Sequence, residues 1–158
     1  MIEIIDTWEL FKQDREKLNE RNDCVVRAIA VAFNLSYKEA HDYCKVYLRR
    51  IPRKGVPTVR AFSGKDYLSA KTIPFIFNKR YLRNCTREDK VDCTKNSGVG
   101  STGLYLKKFL EKCDKSKAYI VLSSGHAYCV KEGKVYGNPK DNRTYVKLAY
   151  RVEQELVN

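Results

Sequence analysis

The run Cys24–Phe33, CVVRAIAVAF, constrains this chain most. Val25, Val26, Ala28, Ile29, Ala30, Val31, Ala32 and Phe33 leave almost no polar face, and a helix that is apolar all round has to be enclosed by the rest of the protein. The run therefore predicts a central helix, with Asn22 or Asp23 as its N-cap. Asn34-Leu35 closes it. Ser36-Tyr37-Lys38-Glu39 then has the form of a capping box that starts a second helix, reaching about as far as Leu48.

Other elements must cover that central helix. Upstream, Trp8, Phe11, Arg15 and Leu18 recur at helical spacing, which predicts a surface helix held to the body by its three apolar members. Between Arg49 and Lys95 the pattern breaks up at Pro52, Gly55, Pro57, Gly64 and Pro74, leaving short apolar pieces such as residues 72–77. The glycine-rich residues 97–103 lack the G-K-[ST] ending of a phosphate loop. They lead into Leu104, Leu106, Phe109, Leu110 and Cys113, spaced as an amphipathic helix. Strand-like stretches follow at 118–122, 126–130, 134–136 and 144–152. Helices first and an antiparallel sheet after predict an α+β fold, with the central helix packed on a C-terminal antiparallel sheet. At 158 residues the expectation is a single domain spanning 1–158.

Charge narrows the partners. The chain carries a net +12, and residues 49–95 hold 13 Lys or Arg against 4 Asp or Glu, which places +9 in that basic variable segment. Arg49, Arg50, Arg53 and Lys54 open it and are the expected partner-binding cations. Such a face suits nucleic acid, an acidic protein or an acidic substrate, or is simply a solvated surface. Tyr67, Phe75, Phe77 and Tyr81 lie within the segment, where they either stack on bases or fill the core. No apolar run is long enough to span a membrane, and the first residues include acids where a secretory signal would be basic. The expectation is a cytoplasmic protein with reduced thiols and no membrane partner. Cys85, Cys93 and Cys113 lack zinc-ligand spacing, so neither metal nor cofactor is expected. His41, between Tyr37 and Cys44 on the second helix, reads as a packing residue.

The candidate chemistry lies in Asn22-Asp23-Cys24 and Ser124-Gly125-His126-Ala127. A cysteine in the first turn of a helix sits where unpaired N–H groups and the helix dipole stabilise a thiolate. An imidazole beside it makes a nucleophile and base; the alternative is a small buried helix residue. Downstream, Glu132 is ill suited to the positive φ of a two-residue hairpin turn. A three-residue turn with Gly133 left-handed would pair Val130 with Lys134 and set His126 beside Asn138, which could then orient the imidazole ring. Asp141 is the alternative orienter.

These residues carry a resemblance. N22-D23-C24-V25-V26-R27-A28 with L35-S36-Y37-K38-E39-A40, and later A118-Y119-I120-V121, S124-G125-H126-A127 and G133-K134-V135-Y136, resemble phage-encoded papain-like cysteine peptidases of the C39-like group. The resemblance covers roughly residues 22–45 and 100–140. It implies a papain-like fold, Cys24 as nucleophile, His126 as base, and a polar residue after the second strand as orienter, a place Asn138 occupies. It further implies a peptidase or isopeptidase working through a covalent acyl-enzyme on a host or phage protein. The superfamily often places a glutamine before the nucleophile to help bind an oxyanion. Leu18 stands six residues before Cys24, so Gln13, Asn19 and Asn22 are the substitutes. Two other functions are open: a catalytically inactive module that holds nucleic acid or an acidic host protein, and an amidase or deamidase using the same thiol chemistry.

Overall fold

A computed structural model of the chain describes residues 2–56, 68, 71–74, 104–123, 126–137 and 145–156. Among these, the elements run β1 (Ile4–Asp6), α1 (Thr7–Leu10), α2 (Lys12–Lys17), α3 (Cys24–Ala32), α4 (Tyr37–Tyr47), β2 (Thr72–Pro74), β3 (Leu104–Tyr105), α5 (Leu106–Lys112), β4 (Ala118–Ser123), β5 (His126–Lys131), β6 (Lys134–Gly137), β7 (Tyr145–Val146) and β8 (Leu148–Val152). The fold is mixed α+β with a mostly antiparallel sheet, ordered β1-β6-β5-β4-β8-β2, in which only the β1–β6 pair is parallel.

The apolar run at 24–33 becomes α3, and every residue from Val25 to Ala32 is buried. It lies against α4 and one face of the sheet, where Ile120, Leu122, Ala127, Cys129 and Tyr150 complete the cluster. Leu106 and Phe109 of α5 cover the opposite face, on Tyr119, Val121, Tyr128, Val130 and Val135. The middle strand β4 is thus enclosed on both faces, which is why its sequence reads as a continuous apolar run rather than an alternation. Asn34 adopts the left-handed φ of 56°, letting Leu35 N–H reach Ala30 O at 2.8 Å and ending α3. The capping box forms as expected: Glu39 N–H donates to Ser36 Oγ at 3.1 Å, and Ser36 N–H to Glu39 Oε1 at 3.0 Å.

Three expectations change. The helix over 8–18 is two short pieces broken at Phe11, and only one of its three apolar members turns inward: Phe11 packs against the core with its ring 5.5 Å from that of Tyr37, whereas Trp8 is 50% exposed and Leu18 is exposed too. Thr7 is buried and its hydroxyl accepts from Arg27 Nη1 at 2.7 Å, and the Trp8 ring instead carries the Arg15 and Arg27 guanidinium groups at 5.4 and 5.8 Å. The helix expected from Leu104 starts at Leu106, because Leu104 is drawn into a two-residue ladder opposite buried Val146.

The third change is the β5–β6 hairpin. Its turn has two residues, with Lys131 opposite Lys134 and Val130 opposite Val135, and both Glu132 (φ 55°) and Gly133 (φ 75°) are left-handed. Glu132 in that region costs about 1–2 kcal/mol. The three-residue register would have set Val130 against a lysine, whereas this one buries Val135 completely beside Val130, worth roughly 1.5–3 kcal/mol. Burial outweighs turn preference.

Candidate active site

Cys24 is the first residue of α3, and His126 is the first of β5, opposite Ser123 at the last pair of the β4–β5 ladder. Packing of α3 across the sheet brings these two ends together. The Cys24 sulfur meets the His126 side chain and the Ala127 backbone N–H as hydrogen-bond partners. Partial burial pushes the thiol pKa up. The bonds from His126 and Ala127, with the charges of His126 and of Arg27 one turn along the helix, outweigh this and hold it below the ordinary thiol value. The other described cysteines are also free thiols, but burial raises those of Cys44 and Cys129 to about 12 and raises that of Cys113 as well.

The residue before the nucleophile does not cap its helix. Asp23 stands at the N-cap position, but its side chain accepts from no backbone N–H of the helix. Its fully buried carboxylate accepts from Arg15 Nε at 2.7 Å, Arg15 Nη2 at 3.2 Å, Arg27 Nε at 3.1 Å and Tyr37 Oη at 2.7 Å. The first helical bond is Arg27 N–H to Asp23 O at 3.0 Å. The first N–H groups of α3 therefore have no partner within the helix and no capping side chain, and they lie beside the thiol.

A second hub fixes the loop leading to Cys24. Glu20, its side chain 1% exposed, pairs with the Arg50 guanidinium and with His41 Nε2, and accepts from Arg53 N–H at 2.8 Å. Burial by itself would raise the Glu20 pKa; these donors bring it down to about 2. Arg50 also donates to Arg21 O at 2.9 Å, and Asn22 Nδ2 to Arg53 O at 3.1 Å. His41, stacked on Tyr37 with ring centroids 6.1 Å apart, is the partly buried packing residue expected and in addition a partner of Glu20.

Among the cations expected at a partner surface, Arg49, Arg53 and Lys54 are exposed, and Arg50 is not. Its side chain is 2% exposed and is spent on Glu20, so Arg50 belongs to the interior. Nothing in the polar stretch around Glu20 signals a buried acid, because its partners lie 21 to 33 residues further on. Of the three oxyanion candidates, Asn22 is committed to Arg53 O, while Gln13 and Asn19 lie on the exposed surface of α2 and of the turn after it. The two-residue turn removes the register argument that set Asn138 beside His126; Asn138 and Asp141 lie outside the described residues. The Tyr128 ring also lies beside that of His126, with centroids 5.7 Å apart.

Among the described residues no group of three His, Cys, Asp or Glu side chains gathers to hold a metal ion, and no helix is long and apolar enough to cross a membrane. Comparison with protein-family models, curated proteins and solved structures returned no match.

Proposed function

We propose that this chain is a cysteine-dependent hydrolase of papain-like architecture that cleaves a peptide-type amide through Cys24. The observation that carries the reading is the contact of the Cys24 thiol with His126 and with the Ala127 N–H, which lowers the pKa of this one described thiol while burial raises the others. The order of the parts agrees: nucleophile at the start of a buried helix, base at the start of a strand in the sheet beneath it.

In this mechanism His126 takes the thiol proton as sulfur attacks the substrate carbonyl, and the uncapped N–H groups at the start of α3 receive the developing oxyanion. Collapse of the tetrahedral adduct breaks the C–N bond, and His126 delivers the proton to the leaving amine. Water then attacks the thioester with His126 as base, releasing the acid and restoring the thiol.

An active ester such as p-nitrophenyl acetate tests this without knowledge of the natural substrate. The expected result is a burst of nitrophenol with an acetyl adduct on Cys24, cleared in the unaltered protein and persistent in His126→Ala. Nitrophenol release that is unaffected by Cys24→Ala would overturn the proposal.

A further inference from the structure

Both acids just upstream of Cys24 are internal. Asp23 is consumed by Arg15 and Arg27, and Glu20 by Arg50 and His41. The surface of that loop is left to cations. Arg21 is exposed between the two acids, and Arg53 and Lys54 are exposed on a segment that the fold lays alongside residues 20–22. Three contacts fix the segment: Arg53 N–H to Glu20, Asn22 Nδ2 to Arg53 O, and Gly55, where a Cβ would lie 3.9 Å from Asn22 O. Val56 then enters the cluster around α3. Among the described residues none of the Arg21, Arg53 and Lys54 side chains is ion-paired, whereas exposed Asp42 on α4 has Lys38 within 3.5 Å.

Arg21 stands three positions before Cys24, within roughly 10 Å of it along the chain, about one Debye length at 0.1 M salt, and Arg53 is held at its backbone by Asn22, two positions before the thiol. We propose that Arg21, Arg53 and Lys54 form a wall of the substrate cleft beside Cys24 that takes acidic side chains of a polypeptide near its scissile amide. The inference rests on the thiol-hydrolase reading. A polypeptide is the occupant because these cations stand on the loop that leads into Cys24 and on the segment clasped to it, where in that reading the electrophile is a peptide-type carbonyl, and their uncompensated charge selects carboxylates. The Arg53 groups that bind Glu20 and Asn22 are backbone atoms, so the side chains can be changed without touching the clasp.

The test compares the rates at which anionic iodoacetate and neutral iodoacetamide alkylate Cys24 at pH 6, followed by peptide mapping. The ratio of the two rates reports positive potential at the sulfur independently of turnover. In the variant Arg21→Gln, Arg53→Gln, Lys54→Gln the ratio is expected to fall at least about twofold at low salt, the effect of one charge about 10 Å away in water. In the unaltered protein the ratio should fall as salt rises. A glutamate-rich peptide should slow alkylation of the unaltered protein more than of the variant. Rapid iodoacetamide labelling with a ratio unmoved by the variant and by salt would overturn this inference while sparing the thiol reading. Slow labelling by both reagents would remove the thiol reading and this inference with it. Stronger protection by an oligonucleotide of equal charge than by the peptide would overturn the acidic-polypeptide assignment.

Discussion

Replacing Glu20 by glutamine removes one charge from a pair in which both side chains are almost wholly enclosed, 1% and 2% exposed. Glutamine resembles the protonated carboxyl, so the cost follows from linkage. A carboxyl that moves from 4.5 when unfolded to about 2 when folded contributes about 3 kcal/mol at neutral pH. Because the folded value is the lower one, this stability is complete above the unfolded value and is lost as pH falls through the folded value, leaving about 1.4 kcal/mol at pH 3. Urea unfolding of Glu20→Gln should therefore show a deficit of about 3 kcal/mol at pH 7 that shrinks by roughly half at pH 3. The paired variant Glu20→Gln, Arg50→Met should recover part of the loss, since the single change strands a buried guanidinium. A deficit below about 1 kcal/mol at pH 7, or one that does not shrink in acid, would refute the hub.

Three further outcomes follow from the same structure. Glu132→Asn should stabilise the protein by about 0.5–1 kcal/mol in thermal or urea unfolding, since asparagine tolerates the left-handed turn position; destabilisation would speak against the two-residue turn. Tyr37→Phe removes the hydroxyl donor 2.7 Å from the Asp23 carboxylate and should cost about 1.5–3 kcal/mol, with a neutral outcome contradicting the Asp23 hub. Asn138→Ala should slow clearance of the acetyl adduct less than His126→Ala does, because an orienting group acts through the base; if only Asp141→Ala slows it, Asp141 is the orienter.

The parts legible in the sequence are those that local physics decides. The unbroken apolar face of 24–33, the Ser36 capping box and the apolar run of β4 each announce themselves within a few residues. Cys24 and His126 stood out for a similar reason, a thiol at a helix start and an imidazole at a strand start, although only packing of α3 on the sheet brings them together. What was hidden is non-local. Strand β1 is three residues long and exists by pairing with β6, 131 positions away. Glu20 looks like a loop acid until Arg50, His41 and Arg53 converge on it. The hairpin misled because Glu132 resists the turn on its own terms, and the burial of Val135 overrides it. Trp8 has the same helical spacing as Phe11, yet Phe11 packs on the core while Trp8 stays exposed and Thr7 beside it is buried, its hydroxyl accepting from Arg27.

Activation of Cys24 by His126 is decided by the pH dependence of iodoacetamide labelling at Cys24, measured in the unaltered protein and in His126→Ala. Cys24 should react well below the ordinary thiol pKa of about 8.5, faster at pH 6 than the five other cysteines. Loss of His126 should move the Cys24 profile upward. Equal labelling of all six thiols, or a Cys24 profile unmoved by loss of His126, would contradict that activation.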